Sequence, residues 1–282
     1  GDDQLAELGN SFNRMTENLE RLLRVEKEKE RLQSEVEIAR EVQNQLYPRV
    51  IPAVPGLELM AQCNPARTVS GDYYDYLGLH GSKVALAIGD VAGKGISAAL
   101  LMATVQASLR TQIRACLEAP GAPAHDGIPP PSQLVSYLNQ HLCAYTSPEK
   151  YATFCFGVYD GATGMLVYTN AGHPPPILIR GGEALRLETN GTVIGAFPFA
   201  EYGESRVQLV PGDLLVWYTD GVTEPENEYG EMFGEERLIE LLLRHAWRNA
   251  SEIVETVLEA VTQWTAAPDA QDDMTILVAR RL

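Results

Sequence analysis

Apolar residues fall in two rhythms along the chain, and the change between them marks a boundary. From residue 3 to 47 there is no proline, and Gly9 is the only glycine. Leu5, Leu8, Phe12, Met15, Leu19 and Leu22 recur at steps of three and four, the seam of a coiled coil. Val25, Leu32, Val36 and Ala39 carry the stripe onward. The step from Leu22 to Val25 is three where four is due, a local stammer, and Glu26 to Arg31 is almost wholly charged. This pattern predicts one long helix. Such a helix cannot bury its stripe alone, so a parallel homodimer is expected, with packing on its own globular domain as the alternative. Pro48, Pro52 and Pro55 end the helix and open the second region.

Short strands then take over. They are predicted at Leu57–Cys63, Tyr73–Leu79, Lys83–Gly89, Ala152–Tyr159, Leu166–Asn170, Ile177–Ile179, Ser205–Leu209, Asp213–Tyr218 and Thr275–Ala279. Helices are predicted from Ile96 to about Leu117 and at Ser132–Tyr145, Glu235–His245 and Ser251–Thr265. The stretch Gly121–Pro131 is too rich in proline and glycine to be either element. Strands in runs with paired helices between them predict an α+β fold with sheet packed on sheet. No internal repeat is visible.

Composition narrows the partners. The 282 residues are 45% hydrophobic, enough for a substantial core, and carry a net charge of −16. That balance argues against nucleic acid or an anionic membrane surface as the main partner. No apolar run reaches the ~18 to 20 residues that span a bilayer, and no signal peptide is visible. Cys63, Cys116, Cys143 and Cys155 form no CxxC pair and read as reduced thiols in the cytoplasm. The chain begins in what reads as mid-helix, so a longer parent anchored in a membrane through an upstream segment is compatible with it.

The chemistry lies in four acidic motifs at strand edges: SGDYYD (Ser70 to Asp75), GDVAGKG (Gly89 to Gly95), YTDGVTE (Tyr218 to Glu224) and QDDMT (Gln271 to Thr275). Any one aspartate there is more often a turn former than a ligand. Four such motifs without a matching set of lysines and arginines point to a shared site neutralised by hard divalent cations, Mg²⁺ or Mn²⁺. GDVAGKG also tempts a phosphate-loop reading. It fails, because only three residues separate Gly89 from Gly93 and Gly95 stands where a serine or threonine should hold the metal.

In order and spacing, SGDYYD, DVAGKG, TDGVTE and DDMT, together with NAGHPPP (Asn170 to Pro176), resemble the bacterial branch of the PPM, or protein phosphatase 2C-type, enzymes of the SpoIIE and RsbU kind. The resemblance runs over roughly residues 43 to 282. It implies a central antiparallel β-sandwich flanked by helices, two Mn²⁺ or Mg²⁺ ions, and hydrolysis of phosphoserine or phosphothreonine by a metal-activated water. The usual substrates of the family are phosphorylated STAS-domain proteins. Carried over by position, Asp90 bridges both metals, the Val91 carbonyl binds one, and Asp220 and Asp272 complete the catalytic ligands. Asp72 serves the second metal. Asp273 stands where asparagine is usual and need not bind metal, Asp75 reads as structural, and Arg67 is the candidate phosphate contact. Ala92 occupies the place of the general-acid histidine of eukaryotic relatives. His173 could be nominated instead, although within its proline-rich turn a structural role is the better reading.

Residues 2–19 look like the second helix of a HAMP signalling module. The expected organisation is therefore a HAMP-like helix over 1–20, a coiled-coil linker over 21–47 and a phosphatase domain over 48–282, with the helical dimer regulating the enzyme. A catalytically weak docking module is the competing function. A cyclase-type output is disfavoured, because no GGDEF-like motif is present.

Overall fold

The computed structural model describes residues 2–118, 128–147, 149–265 and 270–282, without the side chains of Asp2, Asp3, Leu5, Ala6 and Leu8. The expected loop at Gly121–Pro131 therefore lies partly outside the described residues. Two units are separable, Gly1–Val42 and Gln43–Leu282.

The first unit is helical. Helix α1 runs Asp2–Asn44. Its described seam residues Phe12, Met15, Leu19, Leu22, Val25 and Leu32 are all exposed. Ion pairs at i,i+3 and i,i+4 spacing, Glu28–Arg31, Arg31–Glu35 and Glu37–Arg40, lace its charged stretch. The helix stops three residues before the expected end. Leu46 N–H closes a turn on the Gln43 carbonyl, and Tyr47 instead packs its ring on Tyr74.

The second unit is a four-layered sandwich. One antiparallel sheet has the order β1-β10-β9-β6-β7, from Leu57–Asn64 (β1), Ile177–Arg180 (β6), Glu183–Arg186 (β7), Leu214–Tyr218 (β9) and Met274–Arg281 (β10). The other has the order β2-β3-β4-β5-β8, from Asp72–Gly78 (β2), Lys83–Val91 (β3), Ala152–Asp160 (β4), Met165–Ala171 (β5) and Ser205–Gln208 (β8). Helices α2 (Ile96–Glu118) and α3 (Pro131–Tyr145) cover the outer face of the second sheet. Helices α4 (Gly234–His245) and α5 (Ala250–Thr265) cover the first.

Both faces of each sheet are thus buried, and the strands read as continuous apolar runs for that reason. In β9, Leu215 and Trp217 point between the sheets while Leu214, Val216 and Tyr218 face α4 and α5. The structure adds one strand that the pattern did not predict, β7. It pairs only with β6, its side chains are mostly exposed, and an edge strand of this kind carries no apolar alternation. Pro131 belongs to α3 rather than to the loop, at a first-turn position where its missing N–H costs nothing.

Helix α2 is fastened to β2 by a buried ion pair. Asp75, 1% exposed, accepts from Arg110 Nε at 2.7 Å and Nη2 at 2.9 Å, and from the Tyr73 hydroxyl at 2.8 Å. Asp75 points out of the sandwich toward α2, opposite to Asp72 on the same strand. Replacing Arg110 with methionine strands a buried carboxylate, so chemical denaturation should show a loss of about 2–4 kcal/mol. Arg31→Ala, on an exposed pair, should change stability by less than ~0.5 kcal/mol in the same assay.

Candidate functional site

Strand alternation delivers the acidic residues to one mouth of the sandwich. Along β2, Asp72 shares its face with Tyr74 and Tyr76, and along β3 Asp90 shares its face with Ile88. Those three neighbours belong to the core between the sheets. Asp72 and Asp90 are direct partners across β2 and β3. From the other sheet, β9 ends one residue before a 3-10 turn at Asp220–Val222, and Asp272 and Asp273 lead into β10, the neighbour of β9.

Two local features let these ends converge. The turn after β3 uses Gly93 and Gly95 at φ of 105° and 78°, a region that residues with a Cβ rarely enter. Gly221 lies flat against the loop before β10: a Cβ there would stand 1.9 Å from the Asp273 carbonyl oxygen. Only glycine allows Asp220 to sit beside Asp272.

The carboxylates feel one another strongly. Burial, then Asp220 and Asp272, push Asp90 up to about 7. Asp72 is held well above the usual carboxylate range by complete burial and by Asp90. Asp220 is raised by burial, then by Glu224 and Asp272. Asp273 is tied differently, with Oδ1 accepting the Ala66 N–H at 2.8 Å and Oδ2 the Gly71 N–H at 2.7 Å. The Val91 carbonyl faces Gly71.

One cation reaches the cluster among the described residues. Lys94 Nζ stands 2.7 Å from Asp272 Oδ2 and 3.4 Å from the Gln271 carbonyl. Lys94 and Asp272 are 48% and 36% exposed, so this pair is weak. Arg67 is exposed, next to Ala66, with no ion pair among the described residues. Cys63, pushed up to about 12 by burial and then by Asp72, is no thiolate nucleophile.

The donor set suits hard divalent cations: carboxylate oxygens and a backbone carbonyl, with negative charge that one exposed lysine does not balance. The fit lies in that chemistry, for no three carboxylate, imidazole or thiolate groups among the described residues stand at the spacing of a closed metal cage.

Several residues of the site escaped the sequence reading, some of them within its motifs and some far from them. Thr219 donates to Asp72 Oδ2 at 2.8 Å and accepts the Thr275 N–H at 3.0 Å. The buried Thr275 hydroxyl lies beside Asp72 with no bond of regular geometry. Gln43 clamps Ser70 with both ends of its amide, Nε2 to the carbonyl at 2.7 Å and Oε1 from the N–H at 2.9 Å. The Tyr47 hydroxyl donates to the Asp72 carbonyl at 2.9 Å, and Gln106 of α2 donates to the Leu46 carbonyl at 3.1 Å. Gln43 falls in a stretch whose seam pattern reads as helix alone, and nothing in that pattern separates a clamp from a surface amide.

Comparison with known proteins agrees with this architecture. The model of the stage II sporulation protein E (SpoIIE) family matches residues 80–282. Protein IcfG of Synechocystis is 30% identical over 99% of this chain and 46% of its own length. The phosphoserine phosphatase RsbU of Bacillus subtilis is 30% identical over 89% of this chain and 71% of its own. The chain thus spans under half of IcfG and about two thirds of RsbU. The SiaA-PP2C domain of Pseudomonas aeruginosa superposes with a TM-score of 0.78 at 22% identity, covering 89% of this chain and 98% of that domain. The catalytic domain of the serine threonine protein phosphatase PstP, which shares this fold, has been crystallised with two manganese ions, and RsbX with magnesium. Its sandwich is the PP2C phosphatase fold, and with well over half of its length matched the chain belongs to the SpoIIE family.

Proposed function

We propose that this chain is a metal-dependent protein phosphatase that removes phosphate from serine or threonine of a signalling protein. The observation that carries the reading is the meeting of Asp72, Asp90, Asp220 and Asp272 at one mouth, with burial and mutual repulsion raising three of them. Asp90, Asp220, Asp272, the Val91 carbonyl and Asp72 would hold two divalent ions, Mn²⁺ or Mg²⁺, with Asp90 as the shared ligand. Such ions supply, when bound, an activated water and countercharge for the transferring phosphoryl group. Thr219 orients Asp72, the two backbone N–H groups hold Asp273, and Arg67 reaches the substrate phosphate from the rim. Lys94, paired with Asp272, would compete with such cations for that carboxylate. The substrate fitting the RsbU likeness is a phosphorylated STAS-domain protein. Four free cysteines suit the cytoplasm, and no helix among the described residues is long and apolar enough to cross a membrane.

The long helix is the regulatory input. Its exposed seam provides a homodimer contact across the HAMP-like stretch 1–20 and the linker 21–47. The Gln43 clamp and the Tyr47 hydroxyl connect the end of α1 to Ser70 and Asp72.

Phosphate release from a phosphoserine STAS protein should require Mn²⁺ or Mg²⁺, stop in excess chelator and survive thiol blocking. Asp90→Asn should lower kcat/KM at least about a thousandfold, ~4 kcal/mol of barrier, with the fold intact by circular dichroism. Turnover in chelator would refute the metal mechanism. Binding of the phosphoprotein without turnover at saturating Mn²⁺ would leave a docking module.

A pH effect follows from the raised carboxylate. A folded-state value near 7 against an ordinary value near 4 means that the folded chain holds the extra proton between those limits. Ionising Asp90 therefore destabilises the metal-free protein as pH rises from ~4 through ~7. Metal-free Asp90→Asn should be more stable than wild type at pH 8, by on the order of 2–4 kcal/mol, and the gap should close toward pH 4. A gap independent of pH in parallel melts would remove this assignment.

Removal of residues 1–42 should convert a dimer to a monomer by light scattering and shift the basal phosphatase rate. Because Gln43 and Tyr47 remain in that truncated chain, any change belongs to the helix. A monomeric full chain, or equal rates, would reduce α1 to a tether.

A further inference from the structure

NAGHPPP is left over once the aspartates are assigned, and it contains a buried imidazole, His173, between the two sheets. His173 lies on the link from β5 to β6, where the chain crosses from one sheet to the other, and is 2% exposed. The Asn170 side chain fixes it by closing a ring on its backbone: Oδ1 accepts the His173 N–H at 2.8 Å and Nδ2 donates to the His173 carbonyl at 3.0 Å. The ring Nδ1 meets Thr153 Oγ1 at 2.9 Å. Thr153, on β4, is the register partner of Asp90, and its hydroxyl lies 3.4 Å from the Asp90 carbonyl. On the opposite side the ring faces the backbone of Tyr218 on β9, two residues before Asp220. Nε2 is buried there without a bond of normal length and angle.

We propose that His173 is a positioning residue, a strut between the two sheets that sets the separation of the strand ends carrying Asp90 and Asp220. The ring bridges from Thr153, the cross-strand partner of Asp90, to the backbone of Tyr218, two residues before Asp220. The tautomer that serves both sides has Nδ1 accepting the Thr153 hydroxyl and Nε2–H directed at the Tyr218 backbone. Burial drops the imidazole to about 3, so it is neutral rather than imidazolium near neutral pH, which separates this role from that of a general acid. Asn170, Gly172 and the three prolines hold the ring: Gly172 takes φ 69° with Val193 packed against it, and Pro174, Pro175 and Pro176 offer no N–H to prolong β5.

The inference rests on the metal reading, and the test separates the two. Mn²⁺ affinity is measured on the full chain from the free-ion electron paramagnetic resonance signal, beside metal-free melting temperature and the pH profile of kcat. Wild type should bind Mn²⁺ and Asp90→Asn should not; failure of that comparison overturns the metal site and this inference together. His173→Phe fills the space without the polar atoms, and should keep a cooperative melt while binding Mn²⁺ roughly 10- to 100-fold more weakly. His173→Asn should recover part of the affinity. Both limbs of the wild-type pH profile should persist in His173→Phe at saturating Mn²⁺. Folded His173→Phe with wild-type Mn²⁺ affinity overturns the proposal, as does loss of one limb with affinity unchanged. Should His173→Phe fail to fold, Thr153→Val decides: weaker Mn²⁺ binding supports the strut, and unchanged binding overturns it.

Discussion

Negative charge held at the mouth of the sandwich is the constraint around which the domain is arranged. Two carboxylates ~4 Å apart at an effective dielectric of ~20 repel by about 4 kcal/mol. An exposed ion pair such as Lys94–Asp272 returns at most ~1 kcal/mol. The difference must be met by protons or by added cations, and burial together with this repulsion raises Asp72 and Asp90. Thr219 on Asp72 and the two N–H groups on Asp273 relieve part of it and fix where each oxygen points. The sheets supply the rest: strand ends tolerate this density of charge because the backbone ladder, rather than side-chain packing, holds them in place.

The same strand end is where α1 and α2 make contact with the site. Asp72 has its side chain toward Asp90 and its carbonyl toward Tyr47, while Ser70 is gripped by Gln43. Asp75 on that strand faces away and anchors α2 through Arg110. One strand thus carries the site carboxylate and the Tyr47 contact on one face and the anchor of α2 on the other.

Much of this was legible in the sequence because the physics is local. Apolar runs flanked by glycine gave nine of the strands to within a few residues, and the runs were continuous because helices cover both outer faces. The acidic motifs could be read because aspartates at strand ends are conspicuous in a chain with few histidines. What escaped was non-local. β7 is an exposed edge with no alternation to read. Thr219 and Thr275 look like ordinary strand residues until folding sets them beside Asp72. Gln43 has no mark that distinguishes it from the other polar residues of the helix, since its partner lies 27 positions away.

The placement of β10 carries a consequence for biosynthesis. It is the last of the ten described strands to be made, yet it lies inside its sheet, between β1 and β9, with Leu57 facing Arg281. Until it emerges from the ribosome, β1 and β9 present open edges and Asp220 lacks the loop against which Gly221 packs. A nascent chain therefore holds Asp72 and Asp90 on a finished sheet while Asp272 is still unmade. The domain acquires its complete set of acidic groups only after the rest of the sandwich has been translated, and the open edges of β1 and β9 persist during that wait.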